Sequence, residues 1–400
     1  MKKLTVKDID VKGKRVIVRA DFNVPLDSNL QITDDARIAK TIPTIKYLLE
    51  QGCKIILMSH LGRPDGKVVA KYSLKPVAAH LSKLLGQTVT LMPDCVGIEV
   101  ENKAKSLRSG EIILLENLRY HPEEEENNPS FSKQLAHLAE IYVNDAFGTA
   151  HRAHASTEGI AHYLPAVAGF LLGKEIEYFD QALENPRRPF ATILGGSKVS
   201  DKIKVIENLL SRVDYLLIGG AMAYTFLKAL GKRTGKSKID EPGIEVAKSI
   251  LSHAQDRNVK ILLPVDHVIA QEINERAPTK TSDIEIPDDW MGVDIGPKTI
   301  KLYEEILAKC QTVIWNGPVG IFEMKPFELG TKRIALYLAN SKATTIIGGG
   351  DTAAAAVQFG VEDKMSHVST GGGASLEYLE GRALPGVAIL KENNHEKVGK

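Results

Sequence analysis

Apolar residues along the chain gather into short, often β-branched runs, with longer amphipathic stretches between them. The runs of the first half are VIVRA (Val16–Ala20), KIILMS (Lys54–Ser59), EIILLE (Glu111–Glu116) and IYVNDA (Ile141–Ala146). The second half adds ATILGG (Ala191–Gly196), YLLIGG (Tyr215–Gly220), KILLPV (Lys260–Val265), TVIWNG (Thr312–Gly317), TTIIGG (Thr344–Gly349) and HVST (His367–Thr370). Each reads as a strand. ARIAKTIPTIKYLLEQG (Ala36–Gly52) and VSDKIKVIENLLSRV (Val199–Val213) carry helical spacing instead. Strands alternating with helices predict an α/β protein whose parallel sheets are covered on both faces. No repeat of roughly 20–50 residues underlies the alternation.

The middle differs. GKEIEYFDQALENPRRPF (Gly173–Phe190) has helical spacing at Ile176, Phe179 and Leu183 and stops at Asn185-Pro186. It predicts a connecting helix over 173–186 between domains at 1–172 and 187–387. Four hundred residues also exceed one ordinary core.

A net charge of +1 gives no global reason to expect nucleic acid or a membrane surface, so any anion site must be local. Cys53, Cys95 and Cys310 are few and widely spaced, and they show neither a disulfide framework nor a metal-ligand pattern. They read as buried thiols of a cytoplasmic protein. The start MKKLTVKDIDVKGK has no apolar core of a signal peptide, and no run reaches the roughly 18–20 apolar residues of a membrane span.

In parallel α/β sheets ligands bind beyond the carboxyl ends of the strands. In the first half those ends carry Asp21 and Asn23, then His60 and Arg63, then Arg119 and His121, then His151 and Arg152, while Arg37 opens the first helix. Any one arginine reads as a solvated charge; several at one edge predict a site for a small, multiply charged anion. His154 and the acidic run Glu123–Glu126 read as structural and as a solvated loop.

In the second half the strand ends are bare: Gly195-Gly196, Gly219-Gly220, Asn316-Gly317-Pro318, Gly348–Gly350 and Gly371–Gly373. Glycine turns before helices suit phosphates, although a single pair would equally serve close packing. Asp351-Thr352 falls where a helix should begin. In GGSKVSDK, Lys198 and Lys202 are spaced to share one helix face. LGKRTGKS (Leu230–Ser237) imitates a phosphate loop, but its glycines are one residue too close and it follows a helical run.

Together these segments identify a resemblance. VRADFNVPLD, SHLGRP, ENLRYHPEEE, NDAFGTAHRAHAS, GGSKVSDKI, IGGAMAYTFLKA, WMGVDIGPKT, WNGPVGIFE, GGGDTAAA and STGGGASLEYLEG occur in order over nearly the whole chain. The chain resembles phosphoglycerate kinase. The resemblance implies two Rossmann-like domains joined by a central helix and hinge, with the tail from about 388 to 400 packed on the first. It implies magnesium-dependent phosphoryl transfer between 1,3-bisphosphoglycerate and ADP, giving 3-phosphoglycerate and ATP, in a cytoplasmic monomer that closes over its substrates.

Carried over by position, Asp21, Phe22, Asn23, Arg37, His60, Leu61, Gly62, Arg63, Arg119 and Arg152 resemble the phosphoglycerate site. Gly195, Gly196, Lys202, Gly219, Gly220, Gly292, Asn316, Glu323 and Gly349, Gly350, Asp351 and Thr352 resemble the nucleotide site, with Glu323 at the ribose, Thr352 at a phosphate and Asp351 at the magnesium. Arg37, Lys198, Gly371, Gly372 and Gly373 would face the group in transfer. Two rivals are a dehydrogenase, which needs a GxGxxG that the chain lacks, and a two-lobed anion-binding protein without catalysis, which would have no use for Lys198.

Overall fold

A computed structural model describes residues 3–392 of the chain. One unit comprises the chain up to Glu177 and the described residues from Ala383 on, the other Tyr178 to Arg382. The division falls inside a helix, Phe170–Glu184, which starts ahead of the expected connector. The return to the first unit likewise comes earlier than the expected tail.

The first unit is built on β1 (Arg15–Arg19), β2 (Lys54–Met58), β3 (Val89–Leu91), β4 (Ile112–Leu114), β5 (Ile141–Asn144) and β6 (Ala166–Ala168), in the order β3-β4-β2-β1-β5-β6. All neighbours are parallel. Val16, Ile17 and Val18 of β1 are all fully buried, so both faces of the sheet are covered. Helix Ala36–Glu50 shows how: Ile38, Thr41, Ile45 and Leu48 are buried while Ala39, Pro43, Lys46 and Glu50 are exposed. Each Ile or Leu buried in this way contributes about 1.5–3 kcal/mol. The returning segment joins this unit by backbone bonds, Leu4 N to Lys391 O (2.8 Å) and Lys391 N to Ala166 O (3.1 Å). The rest of the expected tail, 393–400, lies outside the described residues.

The second unit holds β7 (Phe190–Leu194), β8 (Tyr215–Ile218), β9 (Lys260–Leu262), β10 (Asp266–Ala270), β11 (Lys280–Asp283), β12 (Met291–Ile295), β13 (Thr312–Asn316), β14 (Thr344–Gly348) and β15 (His367–Val368). Six of them form a parallel sheet in the order β15-β14-β13-β7-β8-β9. The expectation of parallel sheets holds for both large sheets. It misses a small antiparallel one, β11-β10-β12. The run expected as one strand through Val265 ends at Leu262, because Pro264 has no N–H for the ladder. The chain then enters the small sheet at Asp266, whose carboxylate accepts from Lys298 N (2.9 Å) and Thr299 N (2.8 Å) at the start of helix Pro297–Leu307.

The second six-stranded order reverses direction once, at β7; the first reverses at β1 and again at β4, because β3 lies outside β4. A crevice opens where strand order reverses. Register makes each edge even. Arg19 pairs with Met58 and Asn144; Asn316 pairs with Leu194 and Gly348.

Candidate functional site

At the edge of the first unit, Asp21 and Arg37 form an ion pair, NH1 to Oδ2 at 2.8 Å. Asn23 Oδ1 accepts from Gly62 N (2.8 Å), and Gly62 O accepts from Arg119 NH1 (3.0 Å). Gly62 thus ties the loops after β1, β2 and β4 together. Its φ of +64° suits glycine, and a Cβ there would lie 2.4 Å from the Tyr72 ring. Arg63, Arg119 and Arg152 line a cleft of about 270 Å³ with Asp65 and Glu125. The side chains of Phe22 and Leu61 belong to the hydrophobic core, so only their main chains are available to a ligand.

His60 is buried, with Nδ1 3.1 Å from Arg19 NH2. Burial, reinforced by the charges of Arg19, Arg119 and Arg37, holds this imidazole well below its usual range, so it is neutral at pH 7. Burial also lowers Arg119, and Glu125 at 3.1 Å opposes that shift. A crowd of guanidiniums only partly matched by carboxylates favours a bound anion.

Beneath the cleft lies a network the strand-end pattern does not reveal. Arg19 is 1% exposed and donates from Nε to Ser156 Oγ (2.8 Å). Ser156 Oγ donates to Glu124 (2.6 Å), which also accepts from Ser156 N (2.9 Å). Glu124 is fully buried, which corrects the reading of Glu123–Glu126 as a solvated loop: the run forms a helical turn, Pro122–Glu125, that turns this one carboxylate inward. His154 stands 3.8 Å from Glu124; burial and the arginines lower its pKa to about 3. The one sequence signal was a charge, Arg19, inside an apolar strand run.

At the edge of the second unit, Lys202 Nζ donates to Asn316 O (2.9 Å) and to Asn316 Oδ1. Burial lowers Lys202 to about 8, against the opposing charges of Asp351 and Asp201. Asn316 is 2% exposed, and its Nδ2 is buried without a hydrogen-bond partner among the described residues. That donor lies beside the glycine turn, 3.0 Å from where a Gly349 Cβ would stand. Gly349 caps helix Gly350–Gln358 with φ +89°. Asp351 is exposed in its first turn, and Thr352 is buried with Oγ1 accepting from Gly317 N (2.6 Å). A buried orphan donor, a half-buried ammonium and a helix N-terminus together suit a phosphate.

Other expected residues are placed differently. Lys198 and Lys202 do not share a helix face: Lys198 is exposed in the loop, Lys202 closes a 3₁₀ turn over Ser200–Lys202, and the α-helix begins at Ile203. Glu323 is exposed beyond β13. Gly371 N already donates to Ser369 Oγ (3.0 Å), while Gly372 precedes helix Gly373–Leu379 with open space around it. Gly195, Gly219 and Gly220 press against the loop after β13, Gly220 also against Gly196, and Gly292 presses against Tyr224. Lys236 of the imitation phosphate loop is exposed, 3.7 Å from Asp289. Among the described residues no helix is long and apolar enough to cross a membrane.

Two open parallel α/β sheets, one with an arginine edge and one with a glycine edge, make this a two-unit protein suited to handling anions. The phosphoglycerate kinase family model matches residues 6–382. The chain is 56% identical over 393 residues to phosphoglycerate kinase of Moorella thermoacetica, covering 98% of this chain and 100% of that one. It is also 56% identical over 400 residues to that of Gloeothece citriformis, with 98% and 100% covered. The solved structure of phosphoglycerate kinase from Coxiella burnetii superposes with a TM-score of 0.90 at 43% identity, covering 97% of this chain and 98% of that one. That from Pyrococcus horikoshii gives 0.80 at 34% identity with the same coverage. The chain belongs to the phosphoglycerate kinase family.

Proposed function

We propose that the arginine edge of the first unit binds the phosphoglycerate and the glycine edge of the second binds the nucleotide of the family's reaction. That reaction is the reversible transfer of a phosphoryl group between 1,3-bisphosphoglycerate and ADP, giving 3-phosphoglycerate and ATP. On this reading Arg63, Arg119 and Arg152 hold the phosphate in their cleft, and Asp21, Asn23, Arg37 and His60 hold the rest of the three-carbon acid. Neutral His60 serves as a hydrogen-bonding group rather than a second cation. Phe22, Leu61 and Gly62 contribute main chain.

Lys202, Asn316 Nδ2 and the amides of Gly349, Gly350, Asp351 and Thr352 hold the nucleotide phosphates, and Glu323 the ribose. Gly196 borders this space. Gly195, Gly219, Gly220 and Gly292 shape the nucleotide's wall. Asp351 fits magnesium, since an exposed carboxylate beside a phosphate site is the hard oxygen donor that ion takes along with substrate phosphates. When bound, the ion supplies charge neutralisation between phosphates.

The chemistry asks little acid–base work of the chain. In the ATP-consuming direction the acceptor is a carboxylate, already ionised at neutral pH, so no general base is needed. The migrating group spreads charge over three oxygens, and catalysis is alignment plus stabilisation of that charge. Arg37, Lys198 and the amides of Gly372 and Gly373 are assigned to it, while Gly371, whose N–H is taken by Ser369 Oγ, shapes the turn that presents them. The orphan Nδ2 of Asn316 carries the nucleotide half of this reading. ATP consumption with 3-phosphoglycerate, coupled to reduction of the acyl phosphate, tests it; absence of turnover in folded protein would overturn it. The same reading takes the chain as a cytoplasmic monomer, which sedimentation at assay concentration checks.

A further inference from the structure

We propose that Asp94, Cys95 and His121 form a binding site for a thiophilic divalent cation of the zinc class. One carboxylate oxygen, one thiol sulfur and one imidazole nitrogen lie within 4.8 Å of one another. Asp94 and Cys95 follow β3, and His121 follows β4, its parallel neighbour. The cluster uses none of the residues assigned to either substrate.

The ligands are already held. Asp94 Oδ1 accepts from Cys95 N (2.6 Å) and meets His121 Nε2 at 2.7 Å. The His121 ring stacks on Phe131, centroids 5.2 Å apart and planes at 30°. Cys95 is fully buried, whereas the side chains of His121 and Asp94 keep 28% and 48% of their surface exposed. The sulfur therefore forms the floor, and the other two groups form an open rim through which an ion enters.

A mixed oxygen, sulfur and nitrogen set excludes calcium and magnesium, which take oxygen, and suits zinc. Zinc bonds of about 2.0–2.2 Å to nitrogen and oxygen at a tetrahedral angle put those two atoms about 3.3 Å apart. The ring and carboxylate must therefore part by about 0.6 Å from their present hydrogen bond, and the sulfur, within 4.8 Å of both, must come to about 3.6 Å from them. The fourth position is left to water.

A reactive-thiol reading fails here. Burial, with Asp94 and Glu124 adding negative charge, pushes the Cys95 thiol well above its usual range. On binding, the sulfur–hydrogen bond breaks, a sulfur–metal bond forms and the proton leaves to solvent.

The test is titration of the full chain, freed of metal by chelator, with cadmium, whose bond to thiolate gives an ultraviolet charge-transfer band. The band is expected at about one equivalent, to resist excess magnesium and to yield to zinc. Cys95→Ser should abolish it, Cys53→Ser and Cys310→Ser should leave it, and His121→Gln should weaken the affinity at least about tenfold. His121→Gln keeps Cys95 in place, so it decides the matter if Cys95→Ser fails to fold. No band in the native chain, a band that survives in folded Cys95→Ser, or an affinity indifferent to His121→Gln would overturn the proposal. None of these readouts depends on phosphoryl transfer.

Discussion

Lys202 should make nucleotide binding weaken on the alkaline side of neutrality. Burial holds its ammonium at about 8 rather than the usual 10.5, although Asp351 and Asp201 pull the other way. The lowered value means that the free protein gives up this proton unusually early. With a pKa of about 8, roughly nine-tenths of the molecules carry the charge at pH 7, half at pH 8 and about one-tenth at pH 9. A polyphosphate beside Nζ favours the charged form, so binding should draw about half a proton from solvent at pH 8. The terminal phosphate is itself fully ionised by then, its last pKa being about 6. The dissociation constant for ADP at fixed free magnesium should therefore rise by up to about tenfold from pH 7 to 9. Calorimetry in two buffers of different ionisation enthalpy reads both quantities. Lys202→Met should bind weakly at every pH with a flat profile. A flat profile in the native chain, or the same slope in Lys202→Met, would refute the assignment of Nζ to the phosphates.

Replacing Lys236 by Ala should leave nucleotide affinity within about twofold, because its loop follows a helix and its charge faces Asp289 at 3.7 Å; Lys202→Ala should cost more than about tenfold, and calorimetric titration ranks the two. Arg37→Ala should lower kcat by about 10²–10⁵, the range for lost oxyanion donors and arginine fingers, with nucleotide affinity unchanged; single-turnover kinetics and titration separate the effects. Gly195→Ala should cost about 3 kcal/mol in denaturant unfolding, since its Cβ would lie 1.9 Å from Pro318 O. Gly350→Ala should leave stability within about 0.5 kcal/mol and weaken ATP binding, since its Cβ would meet nothing within 4 Å.

The long central strands were legible because burial on both faces turns a strand into an unbroken apolar run, as Val16, Ile17 and Val18 show. β3 and β6 did not stand out, because VTL is buried at Val89 alone and AVA is built mostly of small side chains. β11 was illegible for the opposite reason: KTSD is polar and mostly exposed, and only pairing with β10 makes it a strand. The arginine edge followed from a rule about strand ends, which needs sequence order alone. Glu124 did not, because nothing local separates it from Glu123, Glu125 and Glu126. Its burial depends on Ser156, 32 residues further on. The helix start, expected by Lys198 and found at Ile203, slipped for a similar reason. Spacing places Lys198 and Lys202 on one face only if the helix already exists at Lys198, and Asp240, which accepts from Ser200 N at 2.9 Å, holds that stretch in a turn instead.

The glycines show most clearly where sequence reasoning divides. In the sequence all the strand-end pairs look alike, and each admits two physical causes: a ligand that must approach the backbone, or a second stretch of chain that must. The two leave the same letter and opposite surroundings. A Cβ on Gly219 would lie 2.5 Å from Val319 Cγ1, and one on Gly292 would lie 2.1 Å from Tyr224 Oη, so there the protein itself occupies the space. A Cβ on Gly350 or Gly372 would meet nothing within 4 Å, so there the bare backbone faces outward. Gly195, Gly219 and Gly220 in this way let the ends of β7 and β8 approach the loop after β13, whereas Gly292 packs within β12. The second leaves open space over the backbone at the starts of two helices. Gly350 and Gly372 belong to the triplets at Gly348–Gly350 and Gly371–Gly373, and the buried, unpartnered Nδ2 of Asn316 stands beside Gly348 and Gly349 of the first triplet.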